Sequence, residues 1–93
     1  MAYELKVAAS AERALVRLPE AAATAIVEFL TGPLLENPAR LGKPLSLELS
    51  GYLSARRGAY RIVYGIEEDE AAPGAGVVHV VRIDHRADVY RRR

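Results

Sequence analysis

The sequence has no cysteine and no tryptophan, a single phenylalanine and only two histidines. Without cysteine there is neither a disulfide nor a thiolate metal site, and the expected setting is the reducing cytoplasm. With His79 and His85 alone, a histidine-based metal centre would need carboxylate help from Asp84 or Asp88. No metal or cofactor is expected. No apolar run approaches the roughly 20 residues that cross a bilayer. Tyr3-Glu4-Leu5-Lys6-Val7 alternates like a strand where a leader would be basic and then apolar, so neither membrane span nor signal peptide is expected. Several short catalytic signatures are also missing: the phosphate-binding loop, the dinucleotide fingerprint, His-Glu-x-x-His and the nucleophile elbow.

One further absence is local and informative. The stretch from Gly51 to Ile66 holds Arg56, Arg57 and Arg61 and no acidic residue. The net charge of +1 conceals this bias. Glu67, Glu68, Asp69 and Glu70 form an acidic block, and residues 82–93 then carry five basic side chains against two acidic ones. A basic C-terminal half points to an anionic partner more than the sum does. Charged strand edges that discourage sheet-to-sheet association are the plainer alternative. Edge protection, however, rarely needs arginine and tyrosine together.

Ninety-three residues suit one domain, residues 1–93, able to bury roughly 60–65% of its unfolded surface. The first strand spans Tyr3 to Ala8, with Leu5 and Val7 facing the core. Ser10 is the expected N-cap of a first helix whose apolar stripe is Ala11, Ala14, Leu15 and Leu18. Pro19 separates it from a second helix that buries Ala22, Ile26, Phe29 and Leu30. Gly32-Pro33 ends that helix, with one further turn at Leu34 to Glu36. Asn37 to Pro44 reads as a loop, and Leu45, Leu47 and Leu49 as a short extended piece. Two strands then flank a tight turn at Arg57-Gly58. After the polar Glu67–Gly76 loop, Val77 to Ile83 is apolar on both parities, as a covered interior strand would be. The expected fold class is α+β, in the order β-α-α-β-β-β. A two-helix hairpin packs on one face of a twisted, mainly antiparallel four-stranded sheet, and the other face is concave and basic.

The segments G-Y-L-S-A-R-R-G-A-Y-R-I-V-Y and V-R-I-D-H-R-A-D-V-Y, with E-F-L and N-P-A-R-L-G-K-P-L upstream, resemble the RelE branch of the RelE/ParE toxin superfamily. The resemblance spans nearly the whole chain. It implies a toxin of a type II toxin–antitoxin system: a ribosome-dependent mRNA endoribonuclease, cytoplasmic, neutralised by a cognate RelB-like antitoxin. The implied partners are that antitoxin, the ribosome and mRNA in the A site, and operator DNA only as the toxin–antitoxin complex, with no membrane. The implied chemistry is metal-independent. The 2′-hydroxyl attacks the adjacent phosphate, and a 2′,3′-cyclic phosphate and a 5′-hydroxyl remain.

Residue by residue, the resemblance gives Arg61 the clamp on the transition-state phosphate. It places Arg56 on the substrate phosphate and Arg86 beside a C-terminal tyrosine, Tyr90, that orients the nucleotide. Arg57 and Arg82 extend the phosphate-binding set. The general base is either His85 or Tyr90; histidine needs the least pKa tuning near neutrality. The plainer alternatives are surface charges beside the turn for Arg56 and Arg57, and a pin holding the C-terminal turn for Tyr90. His79, mid-strand among valines, reads as structural. Two departures stand out: Tyr52-Leu53-Ser54 has no lysine where well-known members carry them, and Asp84 stands where a second arginine would be expected. Two other functions share the fold: a ParE-like poison of DNA gyrase, and a catalytically silent relative acting as an antitoxin-bound corepressor.

Overall fold

A computed structural model describes residues 3–85. The chain opens with β1 (Tyr3–Val7) and passes directly into α1 (Ala9–Arg17). Then follow α2 (Glu20–Thr31) and two single-turn helices, α3 (Pro33–Glu36) and α4 (Pro38–Leu41). A two-residue strand β2 (Lys43–Pro44), β3 (Leu53–Arg57), β4 (Tyr60–Glu68) and β5 (Gly76–His85) complete it. The sheet order is β1-β5-β4-β3-β2, antiparallel throughout except that β1 runs parallel to β5. The α+β class is the expected one; among the described residues the sheet has five strands rather than four because Lys43 and Pro44 pair with Ser54 and Leu53.

All the helices lie toward one face. Ala11 from α1, Ile26, Phe29 and Leu30 from α2 and Leu34 from α3 pack against Ala55, Ile62, Tyr64, Val78, Val80 and Ile83 of the sheet. Ala14, Leu15 and Leu18 flank this core, so α1 presents the stripe that its spacing of threes and fours predicts. Proline decides where the helices break. Pro33 and Pro38 each stand in a first helical turn, where a missing N–H costs nothing, and each closes off the helix before it.

Three local readings are corrected. Ser10 is not the N-cap. Ala8 holds that position while its N–H still pairs with Val80 O (2.8 Å), and Ser10 Oγ instead donates to Val81 O (3.2 Å). Residues 38–41, expected in a loop, form α4. The leucine alternation at 45, 47 and 49 does not make a strand. Leu45 N–H is bonded to Tyr52 O (2.9 Å), so the chain must reverse in between, and Leu47–Leu49 forms a 3-10 turn.

The β3–β4 turn is the two-residue Gly58-Ala59, with Gly58 at φ +60°. This is where a type II′ hairpin demands glycine. Gly76, at φ +154°, opens β5, and any Cβ there would drive into the Glu67 carbonyl. Gly76→Ala should therefore cost about 1–3 kcal/mol of backbone strain before any displacement of β4. A thermal scan should show a midpoint lowered by at least roughly 5 °C. Gly58→Ala, with open space around it, should lose less.

The register of β4 with β5 slips between Val63 and Tyr64, because Arg82 faces Val63 while Val80 faces Tyr64. Val81 is the extra residue of a bulge. Before it, Val78 and Val80 face the helices; after it, Ile83 does. The bulge thus turns Arg82 and Asp84 to the open face of the sheet.

Candidate nucleic-acid interface

Strand periodicity sorts the candidate residues onto two faces. Tyr60, Ile62 and Tyr64 of β4 face the helices. Arg61 and Val63 therefore point to the other face, open in that no described helix packs on it, with Val63 itself fully buried among its neighbours. Arg56 is the direct cross-strand partner of Arg61, and Ser54 that of Val63. Lys43 is opposite Ser54, and on the far side Arg82 is opposite Val63 and Asp84 opposite Arg61. One end of the open face thus carries two adjacent cross-strand rows, Lys43, Ser54, Val63 and Arg82 in one and Arg56, Arg61 and Asp84 in the other.

Local structure explains why these side chains are held there. The glycine turn fixes the β3–β4 register, which makes Arg56 and Arg61 neighbours. Like charges directly opposite each other across strands are destabilising. At about 5 Å in water-like surroundings the repulsion is about 1 kcal/mol. Asp84 Oδ2 lies 2.9 Å from Arg82 Nη2, an ion pair too oblique to be an aligned hydrogen bond. Arg61 Nε is buried and has no hydrogen-bond partner among the described residues. With Asp84 engaged by Arg82, Arg56 and Arg61 carry charge that the ion pair does not offset. Such an arrangement suits a multiply charged anion with planar oxygen pairs, such as a phosphodiester.

Two predicted site residues lie on the helix face. Arg57 sits opposite Tyr60, with its guanidinium carbon 5.0 Å from the centre of the Phe29 ring, a cation–π contact. His85 is also opposite Tyr60, and the two rings meet edge to face at 5.1 Å. The structure brings Arg56, Arg61 and Arg82 together and separates Arg57 and His85 from them by the thickness of the sheet. Arg86 and Tyr90 lie outside the described residues. Lys43 and Ser54 were missed as members of the patch. The signal for Lys43 was present, since it falls inside the N-P-A-R-L-G-K-P-L stretch. Among the described residues no three His, Asp or Glu side chains gather as a metal-binding set.

At the far end of the face, His79 Nε2 lies 3.0 Å from Glu67 Oε1. Tyr64 lies beneath the sheet. It is fully buried and donates its hydroxyl to Pro38 O at 2.6 Å, which ties α4 to β4. Burial pushes its phenol up to about 12.

A profile described as the ParE toxin of the type II toxin–antitoxin system parDE matches residues 5–90. The chain is 45% identical to Toxin RelG of Mycobacterium tuberculosis over 92 residues, covering 99% of this chain and 100% of that one. It is 49% identical to Toxin RelE of the same organism over 89 residues, 96% and 87% of the two chains. The fold superposes on a chain of the M. tuberculosis toxin–antitoxin complex RelBE2 with a TM-score of 0.81 and 43% identity, covering 92% of this chain and 100% of that one. Together with the helix-backed sheet and its basic face, these likenesses make the chain a member of the RelE/ParE superfamily of type II toxin–antitoxin toxins.

Proposed function

We propose that this toxin is an endoribonuclease that cuts mRNA in the ribosomal A site. The carrying observation is the register that sets Arg56 against Arg61 on the open face, with Arg82 alongside. A pair of opposed arginines repels across the ladder and gains much from a phosphate between them. In the proposed reaction the 2′-oxygen bonds to phosphorus, the bond to the 5′-oxygen breaks, and a cyclic phosphate results. One proton leaves the 2′-oxygen and another reaches the 5′-oxygen. Arg61 stabilises the charge that grows on the non-bridging oxygens; Arg56 and Lys43 hold the flanking backbone. The guanidinium groups supply the positive charge, so the scheme needs no metal. Tyr90 keeps the proton-handling role that the resemblance gives it. His85 has none at this phosphate, because its ring lies against Tyr60 on the other side of the sheet.

A RelB-like antitoxin is the proposed regulator, as the RelBE2 relative is a toxin–antitoxin complex. A disordered segment that covers the basic face would order on binding and block the arginines. The test is to incubate the protein with programmed ribosomes and map the message ends. New ends within the A-site codon, suppressed by antitoxin, are expected. An intact message overturns the proposal, and one accompanied by blocked supercoiling by gyrase would favour the activity that the ParE name suggests.

A further inference from the structure

The open face has a second feature beyond the arginines. Tyr52, just before β3, lays its ring over Gly65 of β4. A Cβ at that glycine would come within 3.1 Å of Tyr52 Cε1 and 3.2 Å of Cδ1. Tyr52 as a whole nevertheless remains 36% exposed. It forms one wall of a concavity of about 320 Å³, completed by Gly51, Gly65, Ile66, Glu67 and His79. The His79–Glu67 pair, with its 3.0 Å contact, brings hydrogen-bonding groups to the same concavity that the aromatic plate lines.

Covering a strand glycine with an aromatic ring is a known way to fill a gap in a sheet. That alone accounts for the ring's inner surface. It does not account for the hollow beside it or for the imidazole–carboxylate pair at the hollow's edge. An aromatic plate, a space bounded by glycine backbone and a polar edge are what a flat heterocycle with donors and acceptors on its rim requires.

We propose that this hollow is a nucleobase subsite: a base of single-stranded RNA stacks on Tyr52 while its edge meets His79 and Glu67. The inference rests on the reading of the open face as an RNA surface, and it adds base recognition to it. Gly65 is four residues from Arg61 along β4, about 13 Å at strand spacing. A phosphate held at Arg61 therefore has a base within a few nucleotides that reaches Tyr52. The two sites divide the work. The arginines grip any backbone, whereas the hollow favours one kind of base over another.

The experiment uses the full chain and a fluorescein-labelled RNA hexamer whose 2′-hydroxyls are methylated, so that binding is read without cleavage or ribosomes. A matched set carries an abasic sugar at each position in turn. Tyr52→Leu keeps the glycine covered but removes the aromatic plate. It should weaken binding of the intact hexamer roughly tenfold. The loss should disappear against the RNA abasic at the position that stacks, as a double-mutant cycle requires. Tyr52→Trp should retain tight binding, and His79→Gln should change the preferred base. Equal losses by Tyr52→Leu on all the RNAs, or no loss, would overturn the subsite. Arg61→Ala separates the two claims: it should weaken every RNA alike. If it weakens none, the phosphate reading falls while the Tyr52 result stands or falls by its own cycle.

Discussion

Arg61→Ala should slow message cleavage by about 10²–10³-fold, the usual consequence of losing one preorganised donor to a developing charge. The same substitution should raise the thermal midpoint slightly, because it removes the repulsion from Arg56 across the β3–β4 ladder. Loss of activity with a gain in stability is the signature of a residue kept for chemistry at the expense of the fold. A structural arginine would show the opposite: lower stability and a proportionate fall in activity. Arg61→Lys keeps the charge but not the planar fork, and should fall between wild type and alanine. Single-turnover cleavage on programmed ribosomes, with a melting curve for each variant, decides the matter. Asp84→Asn is the companion measurement. It releases Arg82 from its 2.9 Å ion pair and should tighten message binding. Weaker binding in that variant would mean that Asp84 orients the arginines rather than restrains them.

Tyr64→Ala should cost about 3–5 kcal/mol, the range for losing a large buried aromatic side chain. A domain of this size has only about 5–15 kcal/mol in total. The variant should therefore lose a large fraction of its stability and melt at least roughly 10 °C below the wild type. Tyr64→Phe keeps the ring and removes only the hydroxyl that meets Pro38 O, leaving that carbonyl unpaired at a cost of about 1–3 kcal/mol. A pH series isolates the hydroxyl. Its pKa is raised by folding, from the ordinary 10.0 to about 12, so the folded state holds the proton more tightly than the unfolded state does. That contribution is complete below pH 10 and is lost as pH climbs toward 12. Urea midpoints of the wild type should fall across this interval more steeply than those of Tyr64→Phe. Parallel declines would show that the hydroxyl is not the responsible group.

Much of this architecture was legible because local patterns and tertiary packing agree. The stripes on α1 and α2, the proline breaks and the glycine hairpin each have a physical signal within a few residues. The failures share a cause: a distant partner overrode a local pattern. Leu45, Leu47 and Leu49 alternate as a strand would, but the bond from Leu45 to Tyr52 forces a reversal. Ser10 has the chemistry of a cap, yet β1 runs so directly into α1 that its hydroxyl meets β5 instead. The candidate site shows the same division. Arg56 and Arg61 could be placed together from the hairpin alone. Counting by twos from Val78 and Val80 would have put Arg82 and Asp84 under the helices and His85 on the open face. The single extra residue at Val81 reverses that parity, and nothing in V-V-H-V-V-R-I-D-H marks it.

The sheet order also has a temporal consequence. Among the described strands β1 lies at an edge and its sole neighbour is β5, with Tyr3 aligned to Gly76. During synthesis the earliest of the described strands waits for the latest, and contacts that join distant stretches of chain form slowly. Arg82 and Asp84 arrive on that same late strand. A chain proposed to attack ribosomes thus emerges from one without a finished sheet, and its charged face is assembled only after β5 has followed the other described strands out.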